Sequence, residues 1–186
     1  MEENRYAFIY FIGKVESMEY EHLSHSFEPI YDKNSSIIIL GSFPSVKSRE
    51  QQFYYGHPQN RFWRVLSNIL DCKIPNTVLQ KKQLLLENHI AVWDVIAECD
   101  IIGSSDNSIK NVITNPVEEI LHVCDIKRIF ANGAKAAELY QKYSFKKTKR
   151  ECITLPSTSP ANAVFSIEKL CQRWEAIKEP LLYEKE

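Results

Sequence analysis

Between Gly41 and Trp63 the chain reads GSFPSVKSREQQFYYGHPQNRFW, a stretch that gathers the groups a planar, phosphate-bearing ligand would need. Gly41 and Ser42 follow a β-branched run, Ser36 to Leu40, so their backbone N–H groups fall at a strand's carboxyl end, where they can hold phosphate oxygens. Phe43, Tyr54, Tyr55 and their aromatic neighbours can stack on a flat ring. His57 adds an imidazole, a group that can give or take a proton. The stretch is too polar and too broken by Gly and Pro to be one helix, and a loop this long in a compact domain is usually functional. The same aromatics would also suffice to pack a structural Ω-loop.

Three further segments follow apolar runs in the same way. Asp94, in WDV, closes the second run, at a strand's carboxyl end, where it can also serve as a buried helix cap. Asn132-Gly133, in ANGAKA, follows the third and reads as a turn into a helix. After the fourth comes LPSTSPANA, where Ser157, Thr158, Ser159, Pro160, Ala161 and Asn162 put hydroxyls and N–H groups before the last helix, a suitable place for an anion. Asn60, just before a helical pattern, is a favoured N-cap type. There is no G-x4-G-K-[ST] and no G-x-G-x-x-G, which speaks against an NTPase or a dehydrogenase.

The elements that must position these residues alternate. Strands are expected at Ser36 to Leu40, Ile90 to Val95, Lys127 to Ala131 and Arg150 to Leu155. Helices are expected at Arg61 to Leu70, Val78 to Asn88, Pro116 to Cys124, Ala134 to Tyr143 and Ser166 to Lys178, the last with Ile167, Leu170, Trp174 and Ile177 as an apolar stripe. Such alternation predicts an α/β fold with a mainly parallel four-stranded sheet covered on both faces, and ligands collect beyond the carboxyl ends of its strands.

Composition bounds the class. With 186 residues, 44% hydrophobic and 25% charged, the chain is expected to be one domain able to bury its own core without disulfides. Five cysteines without a C-x2-C pair predict a reducing, cytoplasmic setting and no metal cluster. Tyr6 to Ile12, YAFIYFI, is too short to span a membrane and lacks a basic n-region, so it reads as an extra strand or docked extension.

The set GSFPS, YYGHPQNRFW, WDV, ANGAKA and LPSTSPAN resembles the uracil-DNA glycosylase superfamily, specifically its hypoxanthine-DNA (deoxyinosine) glycosylase branch. The likeness covers residues 25–186 and leaves 1–24 as an N-terminal acidic extension. It implies a three-layer α/β/α sandwich and a monomeric, cofactor-free and metal-free glycosylase acting on DNA that contains a deaminated base. It also assigns roles. GSFPS lacks the water-activating carboxylate or amide that several branches carry there, and Asn60 is the implied catalytic residue, its side-chain oxygen orienting water. Gly41, Ser42, Phe43, Tyr54, Tyr55, His57 and Asp94 would bind the base, with Phe43 stacked on it. Pro44, Ser45 and Ser48, with Ser157, Thr158, Ser159, Pro160, Ala161 and Asn162, would hold the DNA. Hypoxanthine is the expected base; uracil, a mismatched pyrimidine, or a catalytically silent nucleic-acid binder are the alternatives.

The net charge of −1 argues against a generally basic protein, but it conceals segregation. Lys127, Arg128, Lys135, Lys142, Lys146, Lys147, Lys149 and Arg150 face only Glu138 within one segment. The first 32 residues hold Glu2, Glu3, Glu16, Glu19, Glu21, Glu28 and Asp32 against Arg5 and Lys14. The basic segment is either a solvated helix face or an aid to DNA binding.

Overall fold

The computed structural model describes residues 19–182. The YAFIYFI run and most of the acidic extension lie outside the described residues. In chain order the elements are β1 (Glu21–Ser24), β2 (Ile37–Gly41), α1 (Val46–Gln51), α2 (Phe62–Ile69), α3 (Val78–Glu87), β3 (Ile90–Asp94), β4 (Ile96–Ile101), β5 (Lys110–Thr114), α4 (Val117–Val123), β6 (Arg128–Asn132), α5 (Ala134–Leu139), α6 (Phe145–Thr148), β7 (Cys152–Leu155), α7 (Ile167–Trp174) and α8 (Lys178–Leu182).

β2, β3, β6 and β7 form a four-stranded parallel sheet in the order β3-β2-β6-β7, as the apolar runs predict. All of β2 is buried, and Ile37, Ile38, Ile39 and Leu40 are fully inaccessible, which is why this run carries no polar alternation. Each such side chain contributes roughly 1.5–3 kcal/mol of burial. Right-handed crossovers put α2 and α3 on one face of the sheet and α4, α5 and α6 on the other. The packing agrees: α2 meets α7, α3 meets β3, α5 meets β6 and β7, and α4 meets α6. Thr77 and Gln80 close a capping box at the start of α3.

From β2 the chain moves first to β3 on one side and then to β6 on the other. The crevice between β2 and β6 is therefore the topological switch point, where parallel sheets bind ligands.

A second sheet, β1-β4-β5, is antiparallel and has no counterpart in the expected elements. The expected strand Ile90 to Val95 does not stop. Val95 N donates to Gly41 O at 2.9 Å and Ile96 N to Ser42 O at 3.1 Å, which carries β3 into β4 beyond the parallel sheet. Asn115 Nδ2 ties the return, donating to Asp94 O and Ile96 O at 2.9 and 3.1 Å. The connection from β4 to β5, with a single 3-10 turn at Asp106–Ser108, arches back over GSFPS.

The expected loop from Gly41 to Trp63 contains a short helix, α1. Ser45 caps it by accepting from Ser48 N, and Ser104 Oγ of the arch accepts from Val46 N at 3.0 Å. The long basic segment is also resolved by topology. α5 begins at the carboxyl end of β6, and α6 ends just before β7 begins, so Lys142 to Arg150 lie at the opposite end of the sheet from the crevice. There Lys147 pairs with Glu118 at 3.2 Å and Arg150 holds Lys127 O at 2.9 Å. Among the described residues no helix is long and apolar enough to cross a membrane.

Candidate active site

A cavity of about 330 Å³ opens at the switch point. Its wall draws on the GSFPS turn and α1, on Tyr55, His57 and Asn60, on Asn132 at the end of β6, on Ser157 to Ala161 after β7, and on Ser104 and Asp106 of the arch.

One polar network dominates the β6–β7 side, and backbone donors fix its sense. Thr158 N donates to Asn132 Oδ1 at 2.9 Å, so Asn132 must present Nδ2 to Thr158 Oγ1, also at 2.9 Å. The Thr158 hydroxyl in turn donates its hydrogen to Asn60 Oδ1, an acceptor only, at 3.0 Å. Phe62 N donates to the same oxygen at 2.9 Å, which also makes Asn60 the turn that starts α2. Asn60 therefore forms an Asx turn just ahead of α2, whose N-cap is Arg61, and also lines the cavity. Oδ1, expected to orient a water, accepts twice within the protein, and Nδ2 has no hydrogen-bond partner among the described residues.

Arg61 locks the loop after β7. Its guanidinium donates to the carbonyls of Thr158, Ser159, Asn162 and Phe165, and its backbone N–H donates to Thr158 O at 3.1 Å. Ser157 Oγ and Ser159 Oγ accept from Ser159 N and Ala161 N, and Asn162 Nδ2 donates to Ser157 O at 2.9 Å. The start of α7 is capped separately by Ser166, so the loop does not lead straight into a bare helix N-terminus as the sequence suggests. Gly133, at φ 104°, sits where a Cβ would come within 3.0 Å of Ser157 Cβ, so this crossing of β6 and the loop requires glycine.

The aromatic side of the cavity is set by GSFPS and the double tyrosine. Phe43 lines it, with its ring otherwise buried and the Arg49 guanidinium 5.8 Å from its centroid. Tyr55, in the left-handed region at φ 53°, stacks on Phe62 at 3.8 Å between centroids. Its hydroxyl is buried with no hydrogen-bond partner among the described residues; the Asn132 side chain lies beside it without reaching bonding geometry. Burial first, and Asp94 second, push the Tyr55 phenol well above its ordinary value, so it stays neutral. His57 Nδ1 accepts from Gln59 N at 3.1 Å, which places the proton of the neutral ring on Nε2.

Of the expected site residues, Ser42, Phe43, Pro44, Ser45, Tyr55, His57, Asn60, Ser157, Thr158, Ser159, Pro160 and Ala161 come together on this wall. Five do not. Tyr54 points into the core against Phe27 and gives its hydroxyl hydrogen to Glu28 O at 3.1 Å. Ser48 is buried, its Oγ accepting from Gly56 N at 3.0 Å, because it holds α1 to the following turn. Asn162 staples the loop from behind. Asp94 is buried beneath the wall, its Oδ2 accepting from His25 Nε2 at 2.9 Å in a pair whose side chains are both nearly inaccessible. Gly41 allows that packing: a Cβ there would stand 2.1 Å from Asp94 Oδ1.

Sequence reasoning read Asn132 only as part of a turn and gave no role to Arg61, His25 or Asp106. Asn132 had a signal, its place at the carboxyl end of a buried strand. Asp106, in the polar run SSDNS, had none. Among the described residues no three His, Cys, Asp or Glu side chains cluster so as to hold a metal ion.

The α/β/α domain thus carries at its switch point a cavity that pairs an aromatic ring with fixed amides and hydroxyls, an arrangement able to receive a planar ring. The chain belongs to the uracil DNA glycosylase superfamily, whose profile matches residues 28–179. It is 34% identical over 157 residues to the hypoxanthine DNA glycosylase of Methanosarcina acetivorans, covering 83% of this chain and 98% of that one. The hypoxanthine DNA glycosylase of Methanosarcina barkeri is 34% identical over 114 residues, 60% of this chain and 72% of that one. A solution NMR structure from M. acetivorans, described as a candidate uracil DNA glycosylase, superposes with a TM-score of 0.72 at 33% identity over 84% of this chain and 96% of that one.

Proposed function

We propose that this chain is a monofunctional DNA glycosylase that flips a deaminated base, hypoxanthine, out of DNA and hydrolyses its glycosidic bond, leaving an abasic site. The observation that carries the reading is the ordered chain Asn132–Thr158–Asn60, which leaves one amide donor, Asn60 Nδ2, aimed at the cavity. The names of the two Methanosarcina relatives support hypoxanthine as the base.

Flipping costs a few kcal/mol of lost stacking. A base stacked on Phe43 regains roughly 1–3 kcal/mol, and the cavity is in the size range of small-ligand sites. Cleavage then passes through an oxocarbenium-like state, for which a positioned water matters more than a strong nucleophile. Asn60 Nδ2 holds that water by its oxygen near C1′ of the flipped deoxyinosine. The loop Ser157 to Ala161, stiffened by Arg61, lies against the strand carrying it. At the mouth Lys47 supplies a cation, with Lys135 close enough to act on Asp106; Lys142 to Arg150, at the far end of the sheet, lie away from a duplex seated here.

Excision from labelled duplexes carrying inosine, uracil or a G·T mismatch tests the reading. Alkali-labile sites at inosine, formed faster than at the other two, are the expected result. Faster cleavage at uracil or G·T would move the substrate to a pyrimidine, and an intact set of oligonucleotides would leave a nucleic-acid binder without glycosylase activity.

A further inference from the structure

Hydrolysis requires something to take the proton of the attacking water, and the amide of Asn60 does not. We propose that Asp106, carried over the cavity by the β4–β5 arch, is the catalytic carboxylate that accepts this proton; the inference rests on the glycosylase reading above.

Elimination supports it first. The titratable side chains on the cavity wall, among the described residues, are Lys47, Tyr55, His57 and Asp106. Lys47 is a cation engaged with Glu50 at 2.7 Å, and the Tyr55 phenol is neutral. His57 uses Nδ1 to accept a backbone N–H and offers the cavity only a donor. Asp106 is left as the base.

Position supports it second. Asp106 Oδ1 accepts from Ser42 Oγ at 2.9 Å, so the carboxylate sits on the GSFPS turn, which carries no carboxylate of its own. Its Oδ2 has no hydrogen-bond partner among the described residues, and the residue is exposed and lines the cavity. Ser42 belongs to β2's end and Asn132 to β6's, so carboxylate and amide network stand on opposite sides of the switch point. The attacking water lies between them, in the one cavity that both line.

The step balances without a co-reactant. The C1′–N9 bond breaks with its electron pair passing to hypoxanthine; water oxygen bonds to C1′ and its proton passes to Asp106 Oδ2. Asp106 then releases that proton to the departed hypoxanthine anion or to solvent. Loss of hydration chiefly, with Asp94 adding, raises the Asp106 carboxyl above the ordinary carboxylate value, while the Ser42 hydroxyl and Lys135 oppose this. Cys99 of β4 and the wall groups Lys47, His57 and Tyr55 complete its titratable surroundings.

Single-turnover excision from an inosine duplex across pH, with wild type, Asp106→Asn and Ser42→Ala, tests the assignment. General-base catalysis is worth about 100-fold or more, so Asp106→Asn is expected to lose at least that at neutral pH. Binding of the inosine duplex and the unfolding temperature should hold. The wild-type rate should fall on the acid side as Asp106 protonates; this limb should be absent in Asp106→Asn and shifted to higher pH in Ser42→Ala, which removes a stabilising donor. An Asp106→Asn protein that cuts within about threefold of wild type with an unchanged profile overturns this assignment and leaves the glycosylase standing. If Asp106→Asn fails to fold, an unshifted limb in Ser42→Ala overturns it instead. A wild type that leaves inosine uncut overturns the function and the assignment together.

Discussion

Thr158 donates its hydroxyl hydrogen to Asn60 Oδ1 at 3.0 Å, joining the start of α2 to the loop after β7 across 98 residues of sequence. Neither residue is oriented alone. Asn132 fixes Thr158, and Thr158 with Phe62 N fixes Asn60, so the free amide points into the cavity without choosing between rotamers. Such an arrangement has its reorganisation done before substrate arrives.

Thr158→Val keeps the shape and removes the hydroxyl, leaving Asn132 Nδ2 and one lone pair of Asn60 unmatched. A hydrogen bond to a positioned group is worth about 1–2 kcal/mol here, so the single-turnover rate should drop roughly 5–30-fold. Duplex affinity should change little. A rate within experimental error of wild type would detach Thr158 from the chemistry.

Arg61→Lys should loosen the whole loop. A lysine brings one point of donation where the guanidinium serves four carbonyls. A loss of about 2 kcal/mol lowers the unfolding temperature by roughly 4–8 °C in a domain of this size. Calorimetry on the variant, with duplex affinity measured in parallel, should find both reduced.

Gly41→Ala should destabilise by roughly 1–3 kcal/mol, because its Cβ meets Asp94 Oδ1 and His25 holds that carboxylate in place. Asp94→Asn is expected to lower stability while leaving the hypoxanthine-to-uracil rate ratio as it was, since Asp94 supports the wall from beneath. Urea denaturation and paired excision assays read the two effects separately. A changed ratio would return Asp94 to base reading.

Alkali should act through the paired tyrosines. Burial raises both Tyr54 and Tyr55, so below about pH 10 they are neutral in folded and unfolded chains alike and their contribution to stability is complete. As pH rises beyond that, the unfolded chain releases protons that the folded one retains, and stability falls. Absorbance titration should show two of the tyrosines ionising only on unfolding; full ionisation in the folded protein would contradict the packing.

The parallel sheet was legible because β2, β3 and β6 carry the apolar runs IIIL, IAVW and IFA, buried as parallel strands covered on both faces must be, while β7, CITL, is partly exposed. The antiparallel sheet was not. β1 reads EHLS and β5 KNVIT, both largely exposed, and β4 shifts register twice, so no clean alternation survives. The rule that ligands gather at carboxyl ends located most of the cavity wall. It did not reveal Asp106, which arrives from outside the parallel sheet, nor distinguish Tyr54 from Tyr55. That last choice turns on a left-handed backbone at Tyr55. Ser48 misled for a different reason: a serine three residues after an N-cap serine is a helix-start pattern, and its hydroxyl was spent on Gly56 N.

The most direct measurement compares wild type and Asn60→Ala on the same inosine-containing duplex under single-turnover conditions, with binding and thermal unfolding recorded for each. The account expects wild type to release hypoxanthine, and Asn60→Ala to bind the duplex while cutting at least about 100-fold more slowly, the scale of a lost water-positioning contact in a preorganised site. Equal rates in the two proteins would contradict it.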